Sequence, residues 1–219
     1  MKGTMVAIPV VNTTGYLSFQ RTFRDGKDLN RSFPGKPHGM PSQIFCHNFM
    51  ERIIKTFNYH IDLHTASFGR VNSYYVRVDM NDPVTASMAE LMRPQIILHN
   101  SGQDGTLRGA ATEKGIKSLT IEIGNPQSFQ NHFISWTYLG VRRVLNHFGM
   151  YPPSSEDSPA LTDPECSPLL CCGGKWIFCN SGGVLEVYPP VNSLIRKGDL
   201  IARIKNIFGN IVEEIFCPQ

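Results

Sequence analysis

The chain has 219 residues, of which 41% are hydrophobic and 18% charged, and its formal net charge is +3. This composition is ordinary for a globular protein, and a charge this small and evenly spread argues against nucleic-acid binding. No apolar run approaches the ~20 residues that a bilayer crossing needs, and the first residues lack the pattern of a signal peptide. We therefore expect one large core, or one domain and a small module, with no membrane or nucleic-acid partner.

Hydrophobic spacing predicts alternating strands and helices over the first two thirds of the chain. Short apolar runs predict strands at residues 5–11, 59–63, 74–78, 96–98 and 119–123. Apolar stripes predict helices at residues 42–57 and 133–148, and Asp82 followed by Pro83 marks the start of another. Strands separated by helices favour an α/β domain with a mainly parallel or mixed sheet.

The composition changes after residue 150. Residues 1–150 form the predicted α/β domain, and residues 151–174 begin with a Pro- and Ser-rich stretch that is typical of a linker. Residues 175–219 are rich in Gly, Pro and Asn turns, and we predict a small all-β module there. Its predicted strands lie at residues 176–178, 184–187, 200–204 and 211–216.

Four of the six cysteines lie close together in the sequence, at Cys166, Cys171, Cys172 and Cys179. Their spacings are not those of Cys-x-x-Cys pairs, so a structural zinc knuckle is the weaker interpretation. The stronger one is a set of reduced thiols, which the cytoplasm maintains. We therefore expect a cytoplasmic protein.

Two polar side chains lie where predicted strands end. His64 follows the strand at residues 59–63, and Glu122 lies near the end of the strand at residues 119–123. The carboxyl ends of strands hold ligand sites in α/β sheets. A neutral imidazole there is a good zinc ligand, and a buried carboxylate suits a general base. The simpler alternatives are an ordinary hydrogen-bonded histidine and one half of a structural ion pair.

A polar loop, DGKDLNRSFPG from residue 25, carries Asn30 and Arg31. Arginine forms paired hydrogen bonds with carboxylates, and asparagine can orient the same group. The pair is therefore a candidate site for a substrate carboxylate. The alternative is a salt bridge within the loop to Asp25 or Asp28.

Three segments together resemble the succinylglutamate desuccinylase/aspartoacylase family of zinc-dependent deacylases, which are relatives of the zinc carboxypeptidases. They are DGKDLNRSFPG from residue 25, IDLHTASFGR from residue 61 and LTIEIGNP from residue 119. The similarity continues through DGTLRGAA at residue 104 and into the β module. It implies a zinc-carboxypeptidase-like mixed sheet with flanking helices, plus a small C-terminal module of the barrel-sandwich type.

The resemblance also implies a function. The family hydrolyses the amide bond of an N-acyl amino acid or a similar small amide, so the implied partner is a small N-acyl substrate and the implied cofactor is zinc. It makes His64 a zinc ligand and Glu122 the base that activates the zinc-bound water. Nothing in the residues indicates an oligomeric state.

The remaining implied site residues bind the substrate. Asn30 and Arg31 match the pair that grips its carboxylate. Arg21 or Arg24 matches the arginine that polarises the scissile carbonyl, and the spacing slightly favours Arg21. Arg108 is a further substrate-binding candidate in the DGTLRGAA segment.

The family's other two zinc ligands belong to an early His-Gly-x-Glu motif. This sequence contains no such motif, and no histidine precedes His38. Since a catalytic zinc site takes about three protein ligands, we expect weak zinc binding. We expect either an incomplete form of a deacylase, through a fragment or a misassigned start, or a non-catalytic, carboxylate-binding pseudoenzyme.

Overall fold

A computed structural model of the chain describes residues 1–102, 105–153 and 167–218. Within it the chain divides into two compact units, Met1–Gly173 and Gly174–Gln219. None of the helices in the described ranges is long and apolar enough to cross a membrane.

The first unit contains a five-stranded mixed sheet in the order β1-β4-β2-β3-β5. Its strands are β1 (Tyr59–His64), β2 (Tyr74–Val78), β3 (Ile96–His99), β4 (Lys117–Ile123) and β5 (Leu169–Cys171). β2 runs antiparallel to β4, and every other neighbouring pair in this sheet is parallel. The carboxyl ends of β1 and β4 therefore lie beside each other and beside the amino end of β2.

Five helices and two short 3₁₀ turns precede or connect these strands in the described residues of the first unit. They are α1 (Thr13–Ser18), α2 (Pro41–Arg52), α3 (Pro83–Leu91), α4 (Leu107–Glu113) and α5 (Asn131–His147), with 3₁₀ turns at Leu29–Arg31 and Ile54–Thr56. The predicted helices correspond to α2, α3 and α5, but the one predicted at residues 42–57 ends at Arg52 and is followed by the separate 3₁₀ turn Ile54–Thr56. α3 begins as its sequence predicts, because the Asp82 carboxylate accepts hydrogen bonds from the backbone amides of Val84 and Thr85.

The two faces of the sheet differ in polarity. Alternation along the strands places one apolar face against α3 and α5, in a core that includes Tyr74, Val76 and Ile121, each fully buried. The opposite face is polar and carries the residues of β1, β2 and β4 that matter below. α4 contacts β1 and β4 and shares a second apolar cluster with α2.

Two expectations for the first unit differ from the structure. Residues 5–11 form no strand; the described residues offer them no ladder partner, and Met5 and Val6 are 49% and 54% exposed. Within the predicted linker, Leu169–Cys171 pairs with β3 and so belongs to the sheet. Residues 154–166 of that linker lie outside the described residues.

The second unit contains a three-stranded antiparallel sheet in the order β6-β7-β8. The strands are β6 (Val184–Val187), β7 (Leu200–Lys205) and β8 (Ile211–Phe216), which agree with three of the four predicted. The strand predicted at residues 176–178 is wrong: that segment is irregular, and Trp176 and Phe178 are exposed. An apolar segment forms a strand only where a neighbouring strand can satisfy its backbone hydrogen bonds, and apolar character alone does not reveal such a neighbour.

Candidate active site

His64, the last residue of β1, is held by a carboxylate on its own strand. Residues two apart on a strand share a face, and Asp62 Oδ2 lies 2.8 Å from His64 Nε2. Burial disfavours both charges, but their hydrogen bond outweighs it, so the pKa of Asp62 is lowered and that of His64 is raised. Nδ1 of His64 is thereby left as the nitrogen that could bind a metal.

Glu122 lies beside His64 on the adjacent strand, because the register of β1 and β4 pairs these two residues. Burial raises the pKa of the Glu122 carboxyl group, against the opposing charges of His64 and Arg77. Asn72 Nδ2 donates a hydrogen bond of 3.3 Å to Oε2, and Arg77 Nε lies 3.9 Å from Oε1. Glu122 thus has both a raised pKa, which suits a base, and an ion-pair neighbour.

Arg21 reaches the same end of the sheet. Its Nε donates to Asp28 Oδ2 at 2.9 Å, and its Nη1 donates to Ser67 Oγ at 2.9 Å, in the loop that follows His64. The positive charge of Arg21 is close enough to favour the ionised carboxylate of Glu122 and to disfavour protonation of His64. The structure therefore brings Arg21 together with both predicted site residues.

Arg24 is placed differently. Its side chain is exposed, with the guanidinium carbon 5.8 Å from the centroid of the Phe23 ring. Within the described ranges no contact links it to His64 or Glu122. Between the two candidate arginines, the geometry favours Arg21.

Asn30 ties its loop to α4. Its Oδ1 accepts a 2.9 Å hydrogen bond from the backbone amide of Leu107, the first residue of α4. Its backbone amide donates to Asp28 Oδ1 at 2.9 Å, so Asp28 connects Asn30 to Arg21. The Asp28 partner is thus Arg21 and not Arg31, whose Nη1 donates to the Asn30 carbonyl at 2.7 Å.

The Asn30–Arg31 turn also packs closely on the segment before α4. Gly105 has a φ of +81°, and a Cβ built there would lie 2.9 Å from the Arg31 carbonyl oxygen. Only glycine accepts both the backbone conformation and this close approach. The Arg31 side chain itself is exposed and available to a ligand.

Arg108 lies inside the protein. It is 5% exposed, and its Nη1 and Nη2 donate to the Asn100 carbonyl and Oδ1 at 2.9 and 2.8 Å. Burial lowers the pKa of its guanidinium group, and nearby Asp62 opposes this effect. These contacts fix the end of β3 to α4 and leave Arg108 away from open solvent.

A three-ligand zinc site does not fit the described residues. No group of three His, Cys, Asp or Glu side chains among them could hold a metal ion. Nδ1 of His64 and the Glu122 carboxylate are the donors that the register brings together, since Asp62 already binds His64. The zinc-knuckle interpretation has no such group either; Cys171, Cys172 and Cys179 are free thiols, and Cys166 lies outside the described residues.

Three residues at this site were not singled out from the sequence: Asn72, Tyr75 and Arg77. For Tyr75 and Arg77 the available signal was the alternation of polar residues in YYVRV, the same alternation that HIDLH shows around Asp62. In each run the polar residues share one face of a strand whose other face is buried.

The chain is similar to proteins of one known family. The family model described as the succinylglutamate desuccinylase/aspartoacylase catalytic domain matches residues 1–148. A curated relative, the N-alpha-acetyl-L-2,4-diaminobutyric acid deacetylase of Halomonas elongata, is 21% identical over 216 residues, which cover 93% of this chain and 61% of the relative.

Solved structures show the same fold. A succinylglutamate desuccinylase/aspartoacylase from Rhodobacter sphaeroides superimposes with a TM-score of 0.81 at 20% identity, covering 95% of this chain and 65% of that one. The product-bound ectoine utilization protein EutE (DoeB) of Ruegeria pomeroyi gives a TM-score of 0.81 at 18% identity, with the same coverage. The chain thus spans less than two thirds of the length of these relatives.

Since the family model matches residues 1–148, the chain belongs to the succinylglutamate desuccinylase/aspartoacylase family. The predicted family resemblance is confirmed.

Proposed function

We propose that this member of the family is an amide hydrolase that removes the acyl group from an N-acyl amino acid or a similar small amide. The observation that carries the proposal is the pairing of His64 with Glu122 at the carboxyl ends of β1 and β4. The similarity to a diaminobutyric acid deacetylase supports the same reaction class.

The reaction is addition of water across the amide bond. Glu122, with its raised pKa, accepts a proton from the attacking water and later delivers it to the leaving amine. A carbon–oxygen bond forms, the carbon–nitrogen bond breaks, and the products are a carboxylic acid and an amine. Arg21, whose Nη2 is not used by Asp28 or Ser67, polarises the scissile carbonyl. Arg24 is the second choice for that role.

The substrate carboxylate binds at the 3₁₀ turn. Asn30 has its oxygen committed to Leu107, so its Nδ2 is the atom left to donate to a ligand. The exposed guanidinium of Arg31 supplies further donors in a forked arrangement. Arg108 was predicted to bind substrate as well; because it is buried against Asn100, we assign it the support of this end of the sheet instead.

Zinc stays the proposed metal, with His64 as the one ligand that the described residues supply. A site with about three protein ligands needs donors beyond them. The roles given to Arg21, Asn30 and Arg31 do not depend on that metal.

The second candidate function is a non-catalytic protein that binds carboxylates. It is favoured by the lack of a three-donor group among the described residues. Such a protein would keep Asn30 and Arg31 and bind N-acyl amino acids without hydrolysing them.

The two candidates are separated by an assay on the purified 219-residue chain. Amine release is measured from N-acetyl-2,4-diaminobutyrate, an N-acylaspartate and N-succinylglutamate, with and without added zinc, and Glu122→Gln is the matched control. Hydrolysis that Glu122→Gln abolishes supports the hydrolase. Binding of the same compounds by calorimetry without any hydrolysis overturns it in favour of the carboxylate-binding protein.

We also propose that the second unit is a small barrel-sandwich-like module. Its three-stranded antiparallel sheet and its turns at Gly198 and Gly209, both with positive φ, support this. A crystal structure in which the sheet does not close on itself would overturn the proposal.

A further inference from the structure

The two oxygens of the Glu122 carboxylate have different neighbours, and both come from the β2 side of the strand. Asn72, just before β2, donates to Oε2 at 3.3 Å, and Arg77 Nε, within β2, lies 3.9 Å from Oε1. β2 runs antiparallel to β4, with Tyr75 directly opposite Glu122. On the other side β1 presents His64. The carboxylate is therefore bracketed between the Asn72–Arg77 pair and the candidate metal ligand.

Arg77 is itself held in place. Its Nε donates to the Tyr75 hydroxyl oxygen at 3.0 Å, Nη2 donates to the same oxygen, and the guanidinium carbon lies 5.3 Å from the centre of the Tyr75 ring. Two residues apart on one strand, Tyr75 and Arg77 share the polar face of the sheet. Because Tyr75 fixes this long side chain in advance, little conformational freedom is lost in keeping its charge beside Glu122.

The geometry at Oε1 leaves that oxygen usable. A separation of 3.9 Å is too long for a direct hydrogen bond, so Arg77 acts on Oε1 through charge and does not occupy its lone pairs. Asn72 does bind Oε2. One oxygen is thus anchored, and the other can accept a proton. Glu122 is 12% exposed, so few water molecules compete with these two contacts.

We propose that Asn72 and Arg77, the latter oriented by Tyr75, are positioning residues that hold the Glu122 carboxylate in the orientation in which it acts on water. The inference rests on the proposed hydrolase function, because it gives these residues a part in the same site. In this proposal both residues act through Glu122 and not on the substrate.

The test compares the steady-state kinetics of Arg77→Gln, Arg77→Lys and Asn72→Ala with those of the unsubstituted chain. We expect kcat to fall by about 10- to 100-fold in Arg77→Gln and Asn72→Ala. KM should change by less than about threefold, since the substrate contacts remain. Arg77→Lys keeps the positive charge, so its kcat should lie between those of Arg77→Gln and the unsubstituted chain. Arg52→Gln, an exposed position at the end of α2, is the charge-matched control and keeps full activity. Unchanged kcat in both Arg77→Gln and Asn72→Ala would overturn the proposal.

A second measurement does not need turnover. Crystal structures of Arg77→Gln and Asn72→Ala are compared with the unsubstituted chain, and thermal unfolding first confirms that each variant folds. We expect the Glu122 side chain to change rotamer or to occupy several. A single, unchanged Glu122 orientation in both variants contradicts the positioning role. If the unsubstituted chain hydrolyses nothing, the hydrolase proposal fails by itself, and this comparison still decides whether Asn72 and Arg77 orient Glu122.

Discussion

His64 and Glu122 occupy paired positions on the neighbouring parallel strands β1 and β4. Paired residues on adjacent strands point to the same face of a sheet, so an imidazole and a carboxylate meet at the strand ends where the loops begin. Asp62, two residues earlier, fixes the imidazole through Nε2. The imidazole of His64 and the carboxylate of Glu122 are therefore held on the same face of the sheet, at the carboxyl ends of their strands.

Replacing Glu122 with glutamine should remove activity and leave the fold intact. We expect kcat to fall by about 10²- to 10⁴-fold, the usual contribution of a general base. Because burial raises the pKa of Glu122, its ionised form opposes folding, and stability falls as pH rises from 4.5 through the raised pKa. Glu122→Gln should therefore unfold at the same or a higher temperature near neutral pH. A loss of thermal stability alongside the loss of activity would indicate a structural ion pair with Arg77 instead.

The Asp62–His64 pair should give the protein a pH-dependent stability. The pKa of His64 is raised above 6.5, so its contribution is complete below that pH and is lost as pH rises through the raised value. The pKa of Asp62 is lowered below 3.8, so its contribution is complete above that pH and is lost as pH falls through the lower value. Asp62→Asn should cost about 1–3 kcal/mol in slightly acidic buffer and less in alkaline buffer. Chemical unfolding across this pH range measures the difference.

Asp79→Asn is the control for that experiment. Asp79 Oδ1 lies 3.9 Å from His99 Nδ1, too far for a hydrogen bond. The Asp79→Asn variant should therefore lose stability as pH rises in the same way as the unsubstituted chain. The explanation by Asp62 and His64 fails if Asp62→Asn and the unsubstituted chain lose stability in parallel above pH 6.5.

The sequence predicts β1 to β4 and the helices α3 and α5 well, because the apolar spacing of these runs is regular, but it misses β5 within the predicted linker. β2 lies at the predicted residues 74–78, and the cap at Asp82 is a local signal that tertiary packing did not override. The strand predicted at residues 5–11 failed because an apolar run carries no information about its pairing partner.

The candidate site was predictable in part. His64 and Glu122 lie at strand ends inside family-like segments, so the motifs locate them. The Asn72–Arg77 environment of Glu122 depends on β2 lying antiparallel to β4, and no local pattern reveals that neighbour. The Arg108 prediction followed the motif, whereas burial against Asn100 is a property of the fold.

Asn30 should have two separable roles, one for each end of its amide group. Asn30→Ala removes the acceptor for the Leu107 amide and should destabilise the protein by about 1–3 kcal/mol, the cost of an unsatisfied buried donor. Asn30→Asp keeps an acceptor oxygen but loses Nδ2, so it should preserve stability while raising KM. Urea unfolding and steady-state kinetics on both variants measure this. Equal stability of the two variants would show that the contact with Leu107 contributes little.

The chain should bind zinc weakly. At the paired strand ends His64 keeps one ring nitrogen, Nδ1, for a metal, and no three-donor group among the described residues surrounds it. Metal affinity follows ligand number and geometry, so one imidazole with a neighbouring carboxylate cannot match a site with three ligands. We expect calorimetry to give a dissociation constant far weaker than that of a closed zinc site, and His64→Ala to remove the remaining binding. Stoichiometric zinc that survives dialysis would contradict this prediction. If His64→Ala and Glu122→Gln both abolished that tight binding, the metal would lie at the paired strand ends, with its further donors outside the described residues.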